Sequence, residues 1–194
     1  RLAAPHTWVV GETTFVKEGS ASAAVDQQFS RTLGRTVNSQ IGLGVHAASD
    51  VDTLPVNRRL FLPPGWDDTV ARTGGDVPSI VERRRCGIPD DRRYRPRWQC
   101  AVEMIDELIG WGHTPPVIVA DTGIGESVPF RRALAAAGCH YLVAVDGSTA
   151  VGRTPAMPSP GRRSWSTCAQ LVVEYTTAHA VERMDLVGLT EQRL

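Results

Sequence analysis

Val117-Ile118-Val119-Ala120-Asp121-Thr122-Gly123-Ile124-Gly125-Glu126 sets an apolar run directly before a carboxylate and a glycine-rich turn. The run is short enough for a buried strand, and the residues after the turn open a helix. A strand of this kind holds an acid at the edge of a sheet, where α/β proteins place metal and phosphate chemistry. An Asp in that position can also serve only as the cap of the next turn or helix. A second acid on a neighbouring strand would distinguish the two.

On the C-terminal side, Phe130, Ala133, Leu134 and Ala137 fall on one helical face, with Ser127 as cap and Gly138 as stop. Tyr141-Leu142-Val143-Ala144-Val145 reads as another buried strand. On the N-terminal side lies the strongest helical pattern in the chain. Trp98, Ala101, Val102, Ile105, Leu108 and Ile109 share a face, with Glu103, Asp106 and Glu107 opposite. Pro96 suits its first turn, and Gly110 and Gly112 end it.

Before that helix, residues 66–95 are polar and rich in Gly, Pro and Arg, and read mostly as a loop insertion. Three β-rich runs precede it: Trp8 to Phe15, Ile41 to His46, and Arg59 to Leu62, the last halted by Pro63-Pro64-Gly65. The expected order is strand, strand, strand, helix, strand, helix, strand. This predicts an α/β, RNase H-like fold, with a mixed sheet of an antiparallel meander plus parallel strands and flanking helices. The first and fourth strands would be neighbours. The fourth offers Asp121, and the first offers Glu12.

Composition narrows the class. At 194 residues the chain is long enough for one well-filled core with an appendage. Its 21 Lys and Arg balance 21 Asp and Glu, so no overall positive field points to nucleic acid. The charge is uneven, however. Arg83-Arg84-Arg85 and Arg92-Arg93-Tyr94-Arg95-Pro96-Arg97 form a basic stretch, which either grips phosphates or is a solvated loop. Cys86, Cys100, Cys139 and Cys168 lack the paired spacing of a zinc site or disulfide framework, which fits a reducing cytoplasm. No apolar run approaches the ~20 residues of a membrane span. The chain opens on Arg1 rather than Met, with no signal peptide, and is expected to be a piece of a longer protein.

These blocks resemble the DDE-type transposases of bacterial insertion sequences, in the branch of DDE superfamily endonucleases. Members carry a strand with Trp, a tandem Asp-Asp, Thr and a Lys-Lys-Gly turn. Trp8-Val9-Val10-Gly11-Glu12-Thr13-Thr14-Phe15-Val16-Lys17-Glu18-Gly19 is similar to it. Gln27-Gln28-Phe29-Ser30, Leu33-Gly34-Arg35 and Asn38-Ser39-Gln40 resemble the next block. Arg59-Leu60-Phe61-Leu62-Pro63 with Trp66, and Arg84-Arg85-Cys86-Gly87-Ile88-Pro89 with Trp98, are similar to two more. Val119-Ala120-Asp121-Thr122-Gly123-Ile124-Gly125-Glu126 resembles the block holding the family's second catalytic acid. The resemblance runs from residue 8 to about 147.

It implies a nuclease domain at 1–147, and the Pro- and Gly-rich composition that follows reads as a linker with an unrecognised tail at 148–194. It also implies DNA cleavage and strand transfer with Mg²⁺ or Mn²⁺, held by Asp121 and Glu12 as catalytic acids and metal ligands. Two such ions, roughly 3.5–4 Å apart, would activate the attacking oxygen and stabilise the leaving one. Hard ions of this kind take carboxylate oxygens. The implied partners are transposon-end DNA and another transposase copy, with no membrane and a cytoplasmic location.

Two departures from the family bear on activity. The tandem acids have become Gly11-Glu12, and alternation along a strand lets only one of those positions face Asp121. If that position is 12, a carboxylate remains, one methylene longer; if it is 11, the ligand is gone. The family's third acid, a Glu on a later helix, has no recognised counterpart among Glu174, Glu182 and Glu191, although a helix from Ala178 to Val187 would carry Glu182. The expectation is a degenerate or inactive nuclease domain. A non-catalytic DNA-binding or dimerising transposase remnant is the alternative. An α/β phosphotransferase with Asp121 as nucleophile is disfavoured, because the Asp-x-Asp pattern and a nearby Lys are missing.

Overall fold

Strand alternation explains how the sheet buries one face. In β1 (Thr7–Val16), Trp8 and Val10 point inward while Val9 and Phe15 stay exposed. In β3 (Arg35–Ala48), Val37, Ile41, Leu43 and Val45 point inward. A period of two in apolar residues is what a half-buried strand requires. The computed structural model describes residues 5–67, 69–70, 80–152 and 165–167.

Four antiparallel strands, rather than three, form the first half of the sheet: β1, β2 (Asp26–Ser30), β3 and β4 (Thr53–Leu60). β4 begins six residues before Arg59, where the expected strand started. β2 has no apolar alternation to reveal it. Its buried positions are Gln28 and Ser30, while Phe29 is exposed. Pairing with β3 stabilises it, and Gln28 Nε2 donates to the Ser39 carbonyl at 2.9 Å.

The remaining strands run parallel to β1. β5 (Val117–Ala120) pairs with β1, so that Trp8 lies opposite Ile118 and Val10 opposite Ala120. β6 (His140–Val143) pairs with β5. The order is β2-β3-β1-β5-β6, with β4 also on β3. The antiparallel half, the parallel half and the flanking helices make the fold RNase H-like, as expected. The burial expected for the last strand is a correction. His140, Tyr141 and Leu142 on β6 are exposed, because β6 closes one end of the strand order and has a partner on one side only.

Helix α2 (Arg97–Gly110) covers the inward face with Ala101, Met104, Ile105 and Leu108. Each large side chain buried this way contributes roughly 1.5–3 kcal/mol. The helix stops as expected. Gly112 takes φ +88°, and His113 N–H reaches back to the Leu108 carbonyl at 3.1 Å. A short helix α3 (Thr122–Gly125) leads into α4 (Val128–Ala136), which buries Phe130 and Leu134. Ser127 Oγ accepts from Phe130 N–H at 3.3 Å, and Gly138 at φ +70° ends the helix, both as expected.

Within the stretch read as loop at 66–95, the described residues include helical turns. A 3₁₀ turn (Pro64–Trp66) leads to the buried Asp67, and helix α1 (Ile80–Arg85) follows. Trp66 Nε1 donates to the Val25 carbonyl at 2.8 Å, and the buried Arg83 donates to the Trp66 and Arg92 carbonyls. The Trp66 bond ties the insertion to the β1–β2 connection, and the Arg83 bonds hold the insertion to itself.

The chain divides into two compact units, residues 1–144 and 145–194. In the second, β7 (Ala150–Gly152) and β8 (Trp165–Thr167) pair antiparallel within the stretch read as linker and tail. Glu174, Glu182 and Glu191 lie outside the described residues.

Candidate active site

Glu12 and Asp121 arrive at one place by simple strand geometry. β5 ends at Ala120 opposite Val10, while β1 continues through Gly11 to Glu12. Asp121 therefore leaves the sheet beside the strand that carries Glu12. Glu12 shares its face with Trp8 and Val10, beneath α2, and Gly11 shares the opposite face with Val9 and Thr13. A β-carbon on Gly11 would have nothing within 4 Å.

Burial sets the character of Glu12. Its side chain retains 4% exposure. One oxygen, Oε2, accepts from Arg97 Nη1 at 2.8 Å, and Oε1 is buried without a hydrogen-bond partner. Burial pushes the carboxyl above the usual carboxylate range, and the Arg97 guanidinium opposes that shift. The Asp121 charge raises it further, while Arg31 draws it down, so both lie within electrostatic reach of Glu12. An orphaned buried carboxylate oxygen is costly unless something satisfies it.

Asp121 is exposed at the mouth of the site. It caps α3, with Oδ1 accepting from Ile124 N–H at 3.3 Å. The capping role weighed from the sequence is thus present, and the second acid is present beside it. Arg31, in the turn after β2, donates from Nη1 to Thr122 Oγ1 at 3.1 Å. Gly123 makes that approach possible. A β-carbon there would stand 2.7 Å from Arg31 Nε and 3.1 Å from Asp121 Oδ1.

Arg31 and Arg97 are the site residues that sequence reasoning missed. Arg31 has no local signal, because it is 91 residues from Thr122. Arg97 stood in the basic stretch, read as either phosphate-gripping or solvated. Much of that stretch answers internal acids. Arg97 pairs with Glu12, Arg95 with Glu103, and Arg84 with Asp90, while Arg93 lies 3.6 Å from Asp67.

Two carboxylates, one bearing a buried unpaired oxygen, are hard donors that fit Mg²⁺ or Mn²⁺ as part of a ligand set. Among the described residues, no group of three or more His, Cys, Asp or Glu converges on such a site. Among them, too, no helix is long and apolar enough to cross a membrane.

Residues 1–183 match the family model described as DDE superfamily endonuclease. The match runs beyond residue 147, to residue 183 of the tail in which no block was recognised. No curated protein matches the chain, and neither does a solved structure. With nearly all of its length matched, the chain belongs to the DDE superfamily endonuclease family.

Proposed function

We propose, from the premise that this chain is a DDE superfamily endonuclease, that it is the nuclease domain of a DNA transposase and that Glu12 and Asp121 are its divalent-metal ligands. The observation that supports this most is Glu12 itself. A carboxylate is buried to 4% exposure with Oε1 unpaired, on the strand next to the one ending in Asp121. The pair with Arg97 accounts for Oε2 and leaves Oε1 open to a further donor or ion.

The metal would supply Lewis-acid stabilisation of charge on the oxygens of a phosphodiester. The protein residues have separate tasks. Glu12 holds an acceptor oxygen in a dry place, where its charge is little screened. Asp121 is oriented by the Ile124 N–H and stands at the exposed mouth, where a backbone phosphate can approach. Arg31, beside the same turn, is placed to meet that phosphate. The substrate is transposon-end DNA, the reaction is cleavage followed by strand transfer, and assembly is with another transposase copy.

The longer Glu at position 12 and its pairing with Arg97 favour weak catalysis, because metal sites lose activity steeply with small displacements. The same observations favour a second reading, a remnant that binds DNA or dimerises without cutting. Nicking of supercoiled plasmid in Mn²⁺ separates the two. The nuclease reading expects Mn²⁺-dependent nicking that Asp121→Asn abolishes. Salt-sensitive DNA retention that survives Asp121→Asn, with no nicking by the parent chain, would replace it with the remnant.

A further inference from the structure

We infer that Arg97 is a built-in counter-cation for Glu12 that competes with the divalent ion, so that metal binding requires the protein to give up this ion pair. The inference rests on the metal reading of Glu12 and Asp121.

The pair is a constructed one. Arg97 is the first residue of α2 and Glu12 lies 85 positions away, yet they meet at 2.8 Å with side-chain exposures of 25% and 4%. The guanidinium is also held from below, with Cζ 5.0 Å from the centre of the buried Phe61 ring. That ring is in turn met edge-on by Tyr94 at 6.1 Å. A cation at a helix N-terminus is unfavourable to the helix dipole, and the first turn of α2 contains no acid to offset it. Helix stability therefore does not explain Arg97. Its partner on the sheet does.

Charge then decides the role. The two acids of the site, Glu12 and Asp121, face two arginines, Arg97 and Arg31. A dication entering that group meets a neutral cluster instead of a doubly negative one. An arginine beside a ligand carboxylate can alternatively orient it for the metal, in which case its removal loosens binding. Competition predicts the opposite sign. The low exposure of the pair favours competition, because like charges a few ångströms apart in a poorly screened place repel strongly.

The test is Mn²⁺ binding to the full chain, followed by calorimetry and by the loss of the free-ion paramagnetic resonance signal. Arg97→Gln is expected to tighten binding about tenfold, and Arg97→Lys, which keeps the charge, to stay near the parent value. Phe61→Leu removes the ring under the guanidinium while keeping apolar volume, and is expected to tighten binding about two- to threefold. It carries the test if Arg97→Gln does not fold. Unchanged or weaker binding in these variants, with Asp121→Asn still abolishing the parent's binding, would overturn the competition alone. A parent chain that binds no Mn²⁺, with or without Arg97, would overturn the metal reading beneath it.

Discussion

Glu12 and Arg59 stand on one cross-strand row, separated by Leu43, and each is answered by a charge of opposite sign on α2. The register pairs Glu12 with Leu43 and Leu43 with Arg59. Above them Arg97 binds Glu12, while Glu103 and Glu107 bind Arg59. The helix is thereby pinned over the sheet in one rotation and one direction, because sliding it would bring like charges together.

Arg59 is the hub of the second half of that arrangement. Its Nη1 donates to Glu103 Oε2 at 2.6 Å, and Nη2 donates to Glu107. Arg59 and Glu103 are each 24% exposed, whereas Glu107 is 42% exposed and more screened. We predict that Arg59→Ala lowers unfolding free energy by about 1–3 kcal/mol, and that Glu107→Ala costs about 0–1 kcal/mol. Urea midpoints of the two variants check the order. Equal losses would mean that the pairs do not pin the helix.

Gly11 is where the tandem acid of the family is broken, and its position makes the repair informative. Gly11→Asp is predicted to fold with a melting temperature close to that of the parent, since a β-carbon there meets nothing within 4 Å. Mn²⁺ affinity should stay within about twofold, because the new carboxylate points to the face away from Glu12. A tenfold gain in affinity would show that position 11 reaches the site.

Asp121 caps α3 as well as facing Glu12, and the two roles respond differently to substitution. Asparagine caps as well as aspartate does, whereas alanine loses the acceptor. Asp121→Asn should therefore keep the parent's stability and lose Mn²⁺ binding. Asp121→Ala should lose both, with a stability cost of about 1 kcal/mol. Thermal melts with and without Mn²⁺ read both effects. Retained Mn²⁺ binding in Asp121→Asn would leave Asp121 as a cap and nothing more.

Asp67 is fully buried and makes stability depend on acid. Burial alone would raise its pKa, but hydrogen bonds from the Thr69 hydroxyl and N–H and from Tyr94 N–H, with Arg93 nearby, outweigh it and hold the carboxyl below its ordinary value. A depressed folded-state pKa contributes stability that is complete above the unfolded value, near 3.9, and is lost as pH falls through the folded one. The urea midpoint of the parent is expected to drop below about pH 4. In Asp67→Asn that step should be smaller, and the variant should be less stable at pH 7 by about 1–3 kcal/mol, since an amide cannot accept all three bonds. An identical acid profile in the two proteins would remove Asp67 from the account.

Local pattern alone made much of this molecule legible. The periodicity of α2, the Ser127 cap, the Gly112 and Gly138 stops and the Val117–Ala120 strand ending at Asp121 are short-range features, in which neighbouring residues state their own conformation. The order of these elements along the chain pointed to the RNase H-like arrangement. β2 was not legible, because its buried side chains are Gln28 and Ser30 and its apolar Phe29 faces out. Such a strand is defined by its partner, not by its own sequence. The exposure of β6 likewise follows from its place in the strand order rather than from its apolar residues.

Long-range contact decided the rest. That Glu12 shares a face with Trp8 while Gly11 does not follows from alternation, but which face lies under α2 depends on how the helix docks. The meeting of Arg97 with Glu12 and of Arg31 with Thr122 spans 85 and 91 residues. The basic character of Arg97 was plain in the chain. That its charge is directed at a buried acid required the sheet, the helix and the Phe61 ring to be in place together, since a guanidinium has no preferred partner until packing excludes water and leaves one within reach.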